Sequence, residues 1–383
     1  MFKIVIAHSE DIDTEDVAED LIDQARKDLG DEVPKAGLLF ACVDHDYQLL
    51  VDQINEAFPG LELIGCTTDG EISTVLGFAQ DSVNLALFVS DEVEFVAGVG
   101  REVSQGADQS LAIAVEEARS KLTKEPALAL FTPTGLTASG STMVDGMKKV
   151  LGVGVPVFGG TAGDQWKFEK THQFFRNEVM LDGAPFLLLT KPLKFSFGTR
   201  SGWQPIASKG TVTQAENNVV QMIDDVTAIQ FYRRYLGDGA MDNLGEFPLA
   251  VFQEDDTFYL RSALFGKDED GTVTFAGDIE VGATVQLTHA SRDAIIEATR
   301  EAVDVAIASY PGQTPTAAMI FSCAGRRGVL GTRTKEEYEM LQEHYPDLQL
   351  AGFYTYGEIS PMDGGTESHF HNETFVSLLL GTE

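Results

Sequence analysis

The spacing of hydrophobic residues near the N-terminus alternates between that of helices and that of strands. Residues 14–30 place apolar side chains three or four positions apart, which predicts an amphipathic helix ended by Gly30. Residues 37–44 (GLLFACVD) form a short apolar run that is typical of a buried strand. A second helical pattern at 47–58 and a strand-like run at 81–89 follow.

A short sequence after the second helical pattern occurs again near the C-terminus. LELIGCTTDGEIST at 61–74 and LQLAGFYTYGEISP at 348–361 are identical at eight positions. A weaker version, VPVFGGTAGDQW, lies at 155–166. We call this sequence the repeat phrase. Internal similarity of this kind indicates a repeated architecture.

Each copy of the repeat phrase has the same surroundings, so we predict three units of the form helix, strand, helix, strand, strand. The first strands of the units align at Phe40, Phe131 and Phe321. A strand–helix–strand crossover with buried strands predicts parallel pairing and a right-handed connection. The strand after each phrase follows too closely for a crossover, which predicts antiparallel pairing. The expected fold class is α/β, or α+β with mixed sheets.

We predict that these units form two domains. Residues 1–222 are expected to hold two units, and residues 223–383 the third unit with an inserted helix and hairpins. The DEDG turn at 268–271 lies between apolar runs and predicts one of these hairpins. The last predicted helix is expected to begin with a capping box formed by Thr334 and Glu337.

Composition limits the partners that this chain can have. The chain has 383 residues and a net charge of −33, so its surface repels nucleic acid phosphates and anionic membranes. No apolar run reaches the roughly 18 residues of a membrane span, and the N-terminus does not resemble a signal peptide. Three cysteines (Cys42, Cys66 and Cys323) do not make a disulfide framework and favour a reducing cytoplasm. We therefore expect no nucleic acid and no membrane partner.

The chain resembles the FIST family of sensory domains in both its N-terminal and its C-terminal part. The N-terminal resemblance rests on LIGCTTDGEIS and VPVFGGTAGDQW, and the C-terminal one on SCAGRRGVLG, GFYTYGEISP and FHNETFVSLL. It implies a cytoplasmic, non-enzymatic signalling protein that binds a small ligand, with amino acids as proposed ligands, and a downstream signalling protein as partner. No kinase, cyclase or chemoreceptor segment is recognised, so a stand-alone sensor is expected, and oligomerisation is left open. Some family members are reported to bind haem and to respond to nitric oxide, which leaves haem open as a cofactor.

The most specific candidate site lies in the third unit. Cys323 and Arg326 follow its first strand, and Tyr354, Tyr356 and Glu358 come from the end of its second. Since both strand ends meet at one edge of the sheet, these side chains are expected to converge. The guanidinium can clamp a carboxylate, the tyrosines can form walls and the carboxylate can bind an amino group. The set predicts an amino-acid-like ligand, and its alternative is an Arg–Glu ion pair that stabilises the domain.

Other candidates also have a structural alternative. The glycines of the repeat phrase, with Glu71 and Glu358, either approach a ligand or build a sharp turn, and the repetition favours the turn. Cys323 could serve a thiol hydrolase with His369 or His371 as its base, but free cysteine is more often a buried apolar residue. The same two histidines could hold a metal, although no further ligands complete a set. None of the seven histidines is singled out for haem, and we expect no catalytic residue.

Overall fold

The structure is a computed structural model that describes residues 1–152, 154–238, 244–254, 256–362 and 364–383. Within these residues the chain forms three units of one topology, with an insertion in the third. In each unit four strands form a mixed sheet, helices cover one face, and a short hairpin leaves the sheet.

The helices and strands follow the chain in three sets. The first unit contains β1 (Phe2–Ser9), α1 (Thr14–Leu29), β2 (Ala36–Ala41), α2 (Tyr47–Ala57), β3 (Glu62–Thr67), β4 (Glu71–Ser73), β5 (Gly77–Ala79) and β6 (Val83–Ser90). The second unit contains β7 (Phe95–Arg101), α3 (Ala107–Ser120), β8 (Pro126–Phe131), α4 (Gly140–Leu151), β9 (Val157–Gly160), β10 (Gln173–Phe175), β11 (Glu178–Met180) and β12 (Gly183–Thr190). The third unit begins with β13 (Lys194–Arg200).

The insertion follows β13, and the third unit resumes after it. The insertion contains β14 (Gln204–Pro205), β15 (Gly210–Glu216), β16 (Val219–Ile223), β17 (Val226–Thr227), α5 (Ala228–Leu236), β18 (Leu249–Phe252), β19 (Phe258–Arg261), β20 (Ala263–Lys267), β21 (Thr272–Phe275) and β22 (Thr284–His289). The third unit continues with α6 (Arg292–Ser309), β23 (Ala317–Cys323), α7 (Ala324–Leu330), α8 (Glu336–His344), β24 (Gln349–Thr355), β25 (Glu358–Pro361), β26 (Ser368–His371) and β27 (Phe375–Gly381).

The strand order is the same in the three units. It reads β1-β6-β2-β3, β7-β12-β8-β9 and β13-β27-β23-β24. The two strands joined by a helical crossover pair in parallel, namely β2 with β3, β8 with β9 and β23 with β24. The last strand of each unit pairs antiparallel with the first crossover strand. The predicted fold class, with mixed sheets and a threefold repeat, is therefore confirmed.

The short hairpin of each unit completes the sheet of another unit. The β4–β5 hairpin joins β24, the β10–β11 hairpin joins β3, and the β25–β26 hairpin joins β9. Within the described residues each of these sheets consequently holds six strands. The exchange closes a ring. The hairpin of the first unit extends the sheet of the third, that of the third extends the sheet of the second, and that of the second extends the sheet of the first.

A glycine in each copy of the repeat phrase lies against the neighbouring strand. A Cβ on Gly65 would lie 1.9 Å from the carbonyl oxygen of Leu39, and a Cβ on Gly352 would lie 2.1 Å from that of Ile320. Gly159 makes the same approach to its neighbouring strand, at 2.0 Å. Only glycine fits at this distance, so the repeated glycines are part of the sheet architecture.

The pairing of these glycines corrects one predicted alignment. Phe131 pairs with Gly159, and Leu39 pairs with Gly65, the equivalent glycine of the first unit. Phe131 is therefore equivalent to Leu39 and not to Phe40. The alignment of Phe131 with Phe40 and Phe321 is therefore wrong by one residue. A continuous apolar run carries no alternation of faces, so the sequence did not indicate its register.

The inner faces of the three sheets share one hydrophobic core. The ring centroids of Phe40 and Phe353 lie 4.5 Å apart, and those of Phe321 and Phe353 lie 5.7 Å apart. Phe158 and Leu128 of the second unit belong to the same cluster. The outer faces pack separately beneath α1 and α2, beneath α3 and α4, and beneath α6, α7 and α8. The three units thus bury their inner faces against one another.

The insertion forms its own sheet and core. In the part of it that the structure describes, the strand order is β19-β18-β22-β15-β16-β21-β20, with β14 beside β22 and β17 beside β16. Helix α5 begins at a capping box of Thr227 and Gln230 and ends before Gly237, whose φ is 71°. The predicted DEDG turn joins β20 to β21. The predicted boundary between residues 222 and 223 falls within β16, and this division of the chain stays a prediction.

A buried ion pair joins α7 to α8 in the third unit. Arg326 and Glu337 are both fully buried, and Arg326 Nη2 donates to Glu337 Oε1 at 2.7 Å. Thr299 of α6 donates to the same oxygen at 3.0 Å. Tyr354 and Ser322 donate to Oε2 at 2.7 and 2.9 Å. Because a buried charge needs both a counter-charge and hydrogen bonds, this network holds three helices against their sheet.

The predicted capping box at the start of α8 is wrong. Helix α8 begins at Glu336, and Thr334 Oγ1 donates to the Gly331 carbonyl at 2.6 Å. The Glu337 side chain instead reaches Arg326, eleven residues earlier. The Thr334 N–H that a capping box would use already donates to the Gly331 carbonyl at 3.1 Å, and a buried guanidinium is a stronger partner for a carboxylate than a neutral N–H.

No helix among the residues that the structure describes has both the length and the apolar character needed to cross a membrane.

We expect Gly352→Ala to lower the free energy of unfolding by about 1–3 kcal/mol or more, because its Cβ would overlap a backbone carbonyl that cannot move freely. Gly154→Ala is the matched control, since a Cβ there meets nothing within 4 Å. Denaturant unfolding followed by circular dichroism measures both variants. Equal stability of the two would contradict the close approach.

We expect Arg326→Met to cost about 3–5 kcal/mol of stability, because it leaves Glu337 charged, buried and without its counter-charge. The double variant Arg326→Met/Glu337→Gln should recover much of this loss. Thermal and denaturant unfolding of the two variants and the wild type measures the difference. A single variant as stable as the wild type would show that the pair does not hold the helices.

Candidate functional site

A large cavity lies where the second unit, the third unit and the insertion meet. Its volume is about 1170 Å³. Its walls come from the loop before α4, the loop after β9, the β20–β21 hairpin and the first turns of α7. Strands β8, β9, β23 and β24 end beside it, as expected for an α/β fold, in which loops at the carboxyl ends of parallel strands form ligand sites.

One wall is formed by residues 164–170, which we call the aromatic loop. Both carboxylate oxygens of Asp164 hold it closed, accepting from the backbone N–H groups of Phe168 at 2.9 Å and Glu169 at 2.8 Å. Gln165, Trp166 and Phe168 have φ values of 55°, 64° and 50°. Such left-handed conformations are unfavourable for these residue types, and strain held in place by a buried carboxylate is a common feature of binding sites.

Four aromatic rings meet at this wall, and we call them the ring cluster: Trp166, Phe168, Phe265 and Tyr356. Phe168 stacks on Tyr356 with 5.1 Å between centroids and meets Phe265 edge-on at 5.2 Å. Trp166 lies 5.8 Å from Phe168 and is 42% exposed. All four residues line the cavity. The cluster thus presents aromatic surface to any molecule inside it.

A buried carboxylate also lines the cavity. Glu373 is 1% exposed and lines the cavity. Ser262 Oγ donates to its Oε1, whereas its Oε2 accepts no hydrogen bond from any described residue. Its φ is 59°. Gly325 makes room for the carboxylate, because a Cβ there would lie 2.3 Å from Oε1.

Burial raises the pKa of Glu373 to about 7, although the Ser262 hydrogen bond and the nearby Arg326 charge act in the opposite direction. A carboxyl group that loses water without gaining full compensation is expected to behave in this way. Glu373 therefore changes its charge near neutral pH.

The other charged groups on the cavity wall are also acidic. They are Glu169, Glu246 and Asp278. Among the lining residues that the structure describes, none is Lys, Arg or His. Ser139 Oγ donates to Asp278 Oδ2 at 2.7 Å, which fixes that carboxylate at the rim. The charged side chains on the described part of the wall are therefore all carboxyl groups, while the buried guanidinium of Arg261 lies behind Asp278 and Phe370.

Two of the five predicted site residues line this cavity. Tyr356 donates its hydroxyl hydrogen to Asp164 Oδ1 at 2.5 Å and contributes its ring to the cluster. Cys323 lies at the end of β23, beside Glu373. Burial raises the pKa of the Cys323 thiol well above its usual value, and the charges of Glu358 and Glu373 raise it further.

The other three predicted residues lie deeper in the fold. Arg326 and Tyr354 belong to the ion-pair network with Glu337, which is the structural role weighed against the carboxylate clamp. Glu358 is fully buried, and its Oε2 accepts from the backbone N–H of Thr374 at 2.9 Å. The five predicted residues therefore do not converge on one ligand in the described part of the structure.

Glu71 and Glu358, the matching glutamates of the first and third copies of the repeat phrase, serve the turns of their own units. Glu71 is fully buried and accepts hydrogen bonds from Ser82 Oγ at 2.6 Å and from Thr68. Glu358 makes the corresponding contacts with Thr374. These contacts agree with the structural interpretation of the repeat.

The histidine pair is divided between two environments. His371 is buried, and its Nε2 lies 2.9 Å from the Ser360 carbonyl oxygen. Burial lowers its pKa to about 4, so this imidazole is neutral. His369 is half-buried, with its ring 6.3 Å from that of His371. A hydrogen-bonding role therefore describes His371 better than metal ligation.

The sequence reasoning missed Glu373, Ser262, Trp166, Phe168 and Phe265. Glu373 lies in the quoted stretch FHNETFVSLL, two residues before a strand, but a left-handed backbone and a missing partner cannot be seen in a sequence. Trp166 ends the middle copy of the repeat phrase, and its departure from the other copies was an available signal. Phe265 reaches the site from the insertion, whose docking no local pattern indicates.

Two family models match the chain. The FIST N domain matches residues 35–226, and the FIST C domain matches residues 228–361. An uncharacterized protein of Methanocaldococcus jannaschii is 23% identical over 340 residues, which is 79% of this chain and 63% of that protein. An uncharacterized protein of Mycobacterium tuberculosis is 26% identical over 228 residues, which is 56% of this chain and 59% of that protein. The chain thus spans about three fifths of the length of these curated relatives.

A solved structure aligns along nearly the whole chain. Cyanuric acid hydrolase from A. caulinodans gives a TM-score of 0.38 at 9% identity and covers 99% of both chains. Similarity at this level says nothing about activity. The two family models together match well over half of the chain, and on this ground the chain belongs to the FIST family of sensory domains.

Proposed function

We propose that this protein is a sensor that binds a small molecule in the cavity between its second unit, its third unit and its insertion. The observation that carries the proposal is the cavity itself: about 1170 Å³, with aromatic walls and a buried carboxylate that has an unpartnered oxygen. Concave sites with apolar walls and a few placed polar groups are typical of small-molecule binding.

The position of the cavity offers a way to report occupancy. A ligand there would contact the aromatic loop, the start of α7 and the β20–β21 hairpin at once. It would stabilise whichever arrangement of these segments it binds best. A downstream signalling protein that recognises this arrangement would then read the bound state. A cytoplasmic location suits the proposal, since the three cysteines are free and buried.

The sequence predicted an amino-acid-like ligand, and the predicted binding partner of its carboxylate has to be revised. Its carboxylate was assigned to Arg326, whose guanidinium is fully buried and already paired with Glu337. The aromatic wall remains through Tyr356, and an acidic group remains through Glu373 rather than Glu358. The geometry supports a ligand with an apolar part and a hydrogen-bond donor.

The thiol hydrolase alternative finds little support in the geometry of Cys323. A nucleophilic cysteine needs a lowered pKa and a neighbouring base or cation. Burial, Glu358 and Glu373 all raise the pKa of this thiol. We therefore assign Cys323 to the wall and not to catalysis.

Haem also fits this cavity poorly. Haem propionates need donors or cations, whereas the charged groups on the described part of the wall are carboxylates. The wall offers the Tyr356 hydroxyl and the Cys323 thiol as axial ligands. The first is held by Asp164, and the pKa of the second is raised.

We expect Gly328→Phe to abolish ligand binding without destabilising the protein. Gly328 lines the cavity on α7, and its Cβ would lie 3.8 Å from the Trp166 ring, so a larger side chain would enter the cavity without a clash at its base. Replacing a helical glycine also removes a helix penalty of about 0.5–1 kcal/mol. A thermal-shift screen of metabolites against wild type and variant measures the effect, and a compound at about a hundred times its Kd should add roughly 2.7 kcal/mol to wild-type stability.

Gly154→Phe is the matched control, because Gly154 is open to solvent and lies away from the cavity. It should keep every shift that the wild type shows. If the compounds that stabilise the wild type stabilise Gly328→Phe equally, the ligand site lies elsewhere and the proposal is wrong.

A further inference from the structure

We infer that the ligand of this cavity is a small organic cation, whose ammonium group binds Glu373 while its apolar part lies against the ring cluster. The inference rests on the ligand-binding function proposed above and specifies the chemical class of the ligand.

The first argument is the state of Glu373. A carboxylate that is 1% exposed and lacks a partner at Oε2 bears most of the desolvation penalty of a buried charge. Ser262 satisfies only Oε1, and Arg326 directs its guanidinium to Glu337 and to nearby oxygen atoms. An ammonium group entering from the cavity would supply both the missing hydrogen bond and the missing counter-charge.

The second argument is the ring cluster on the cavity wall. The faces of aromatic rings attract cations, and the attraction grows when water is excluded. The aromatic loop holds Trp166 and Phe168 in left-handed conformations. The N–H of Phe168 donates to Asp164 at 2.9 Å, and the N–H of Trp166 donates to the Tyr356 hydroxyl at 2.7 Å. Tyr356 and Phe265 complete a cluster whose neighbouring rings are 5.1–6.3 Å apart. Aromatic rings and a buried carboxylate that line one cavity together favour an ammonium ion over water.

The third argument is the sign of the charge. The four charged residues on the described part of the wall are all acidic. The chain as a whole carries a net charge of −33, which concentrates cations near its surface. A ligand with its own carboxylate would have to lose water beside these groups without finding a cation. The cavity therefore favours an amine that has no free carboxylate over an amino acid.

The groups that face Glu373 indicate how binding depends on pH. They are the Cys323 thiol, the Glu358 carboxyl and the Arg326 guanidinium. The raised pKa of Glu373, about 7, means that the carboxyl is neutral in acidic solution and charged in mildly basic solution. A cation of fixed charge should consequently bind more weakly as the pH falls below 7, because binding must first remove the proton.

The test uses three probes of nearly equal shape: benzylamine as the cation, benzyl alcohol as the neutral analogue and benzoate as the anion. Titration calorimetry on the full-length protein gives the affinities. We expect benzylamine to bind at least about tenfold more tightly than benzyl alcohol, as a hydrogen bond to a charged group implies, and benzoate to bind most weakly.

Glu373→Gln is the informative variant, because it keeps the shape of the side chain and removes its charge. It should reduce the preference for benzylamine over benzyl alcohol to about onefold while benzyl alcohol still binds. Glu116→Gln is the matched control, since it removes an exposed carboxylate of α3 that does not line the cavity. It should leave most of the preference intact.

A second measurement does not depend on any variant. Phenyltrimethylammonium carries a fixed charge, so only the protein titrates between about pH 5 and pH 8.5. Its affinity for the wild type should fall severalfold at the acidic end.

The outcomes separate this inference from the proposed function. Benzylamine that fails to bind, binds no better than benzyl alcohol, or keeps its preference in Glu373→Gln would overturn the inference. An affinity for phenyltrimethylammonium that does not change with pH would also overturn it. The proposed function would still stand if other metabolites stabilise the wild type but not Gly328→Phe. If the probes stabilise Gly328→Phe as much as the wild type, the cavity is not their site and the inference is wrong. The proposed function is wrong only if the metabolites that stabilise the wild type also stabilise Gly328→Phe equally.

Discussion

Each four-stranded sheet would end at an unpaired strand if its unit folded alone, and the exchanged hairpins remove that open edge. Strands β3, β9 and β24 each receive a hairpin from another unit, so the backbone groups of the edge find partners inside the molecule. Because the exchange closes a ring, no unit can leave without exposing an edge of another. The shared inner core follows from this closure, since the ring brings the apolar faces of the three sheets together. The cavity also depends on this closure, because its walls belong to different units.

The three copies of the repeat phrase share a scaffold and differ in the residues that follow it. The strand glycines are the same in all three, because each lies against a carbonyl oxygen. Beyond them, the first copy places Asp69 against Arg327 of α7 at 2.7 Å, which ties the first unit to the third. The second copy uses Asp164 to close the aromatic loop, and the third presents Tyr356 to it. The residues that follow the glycines in the three copies thus have different roles: Asp69 binds another unit, Asp164 closes the aromatic loop and Tyr356 lines the cavity. The cavity lies beside the second and third copies.

The sequence indicated those parts of the structure that depend on local pattern. The helices and strands of the crossovers, their parallel pairing and the DEDG hairpin each follow from neighbouring residues and were predicted. The exchanged hairpins and the first strands of the second and third units were not. The register of Phe131 and the use of Glu337 depend on partners in other elements, and both predictions were wrong. The same limit applies to the site. Strand-end position led to Tyr356 and Cys323, whereas the role of Glu373 depends on a left-handed backbone and on an oxygen that no neighbour reaches.

A raised carboxyl pKa does not by itself mark a binding site in this fold. Burial raises the pKa of Glu71 to about 8 and that of Glu373 to about 7. Each group therefore adds to the free energy of unfolding in acid, below its pKa of about 4.5 in the unfolded chain. This contribution is lost as the pH rises through the pKa of the folded state. Glu71 is sealed, with Thr68 and Ser82 donating to its two oxygens. Glu373 has one oxygen without a partner and a cavity beside it, so an external cation can restore the stability that its ionisation removes. An unpartnered oxygen on a residue that lines the cavity, and not the size of the pKa shift, distinguishes Glu373 from the structural carboxyl groups.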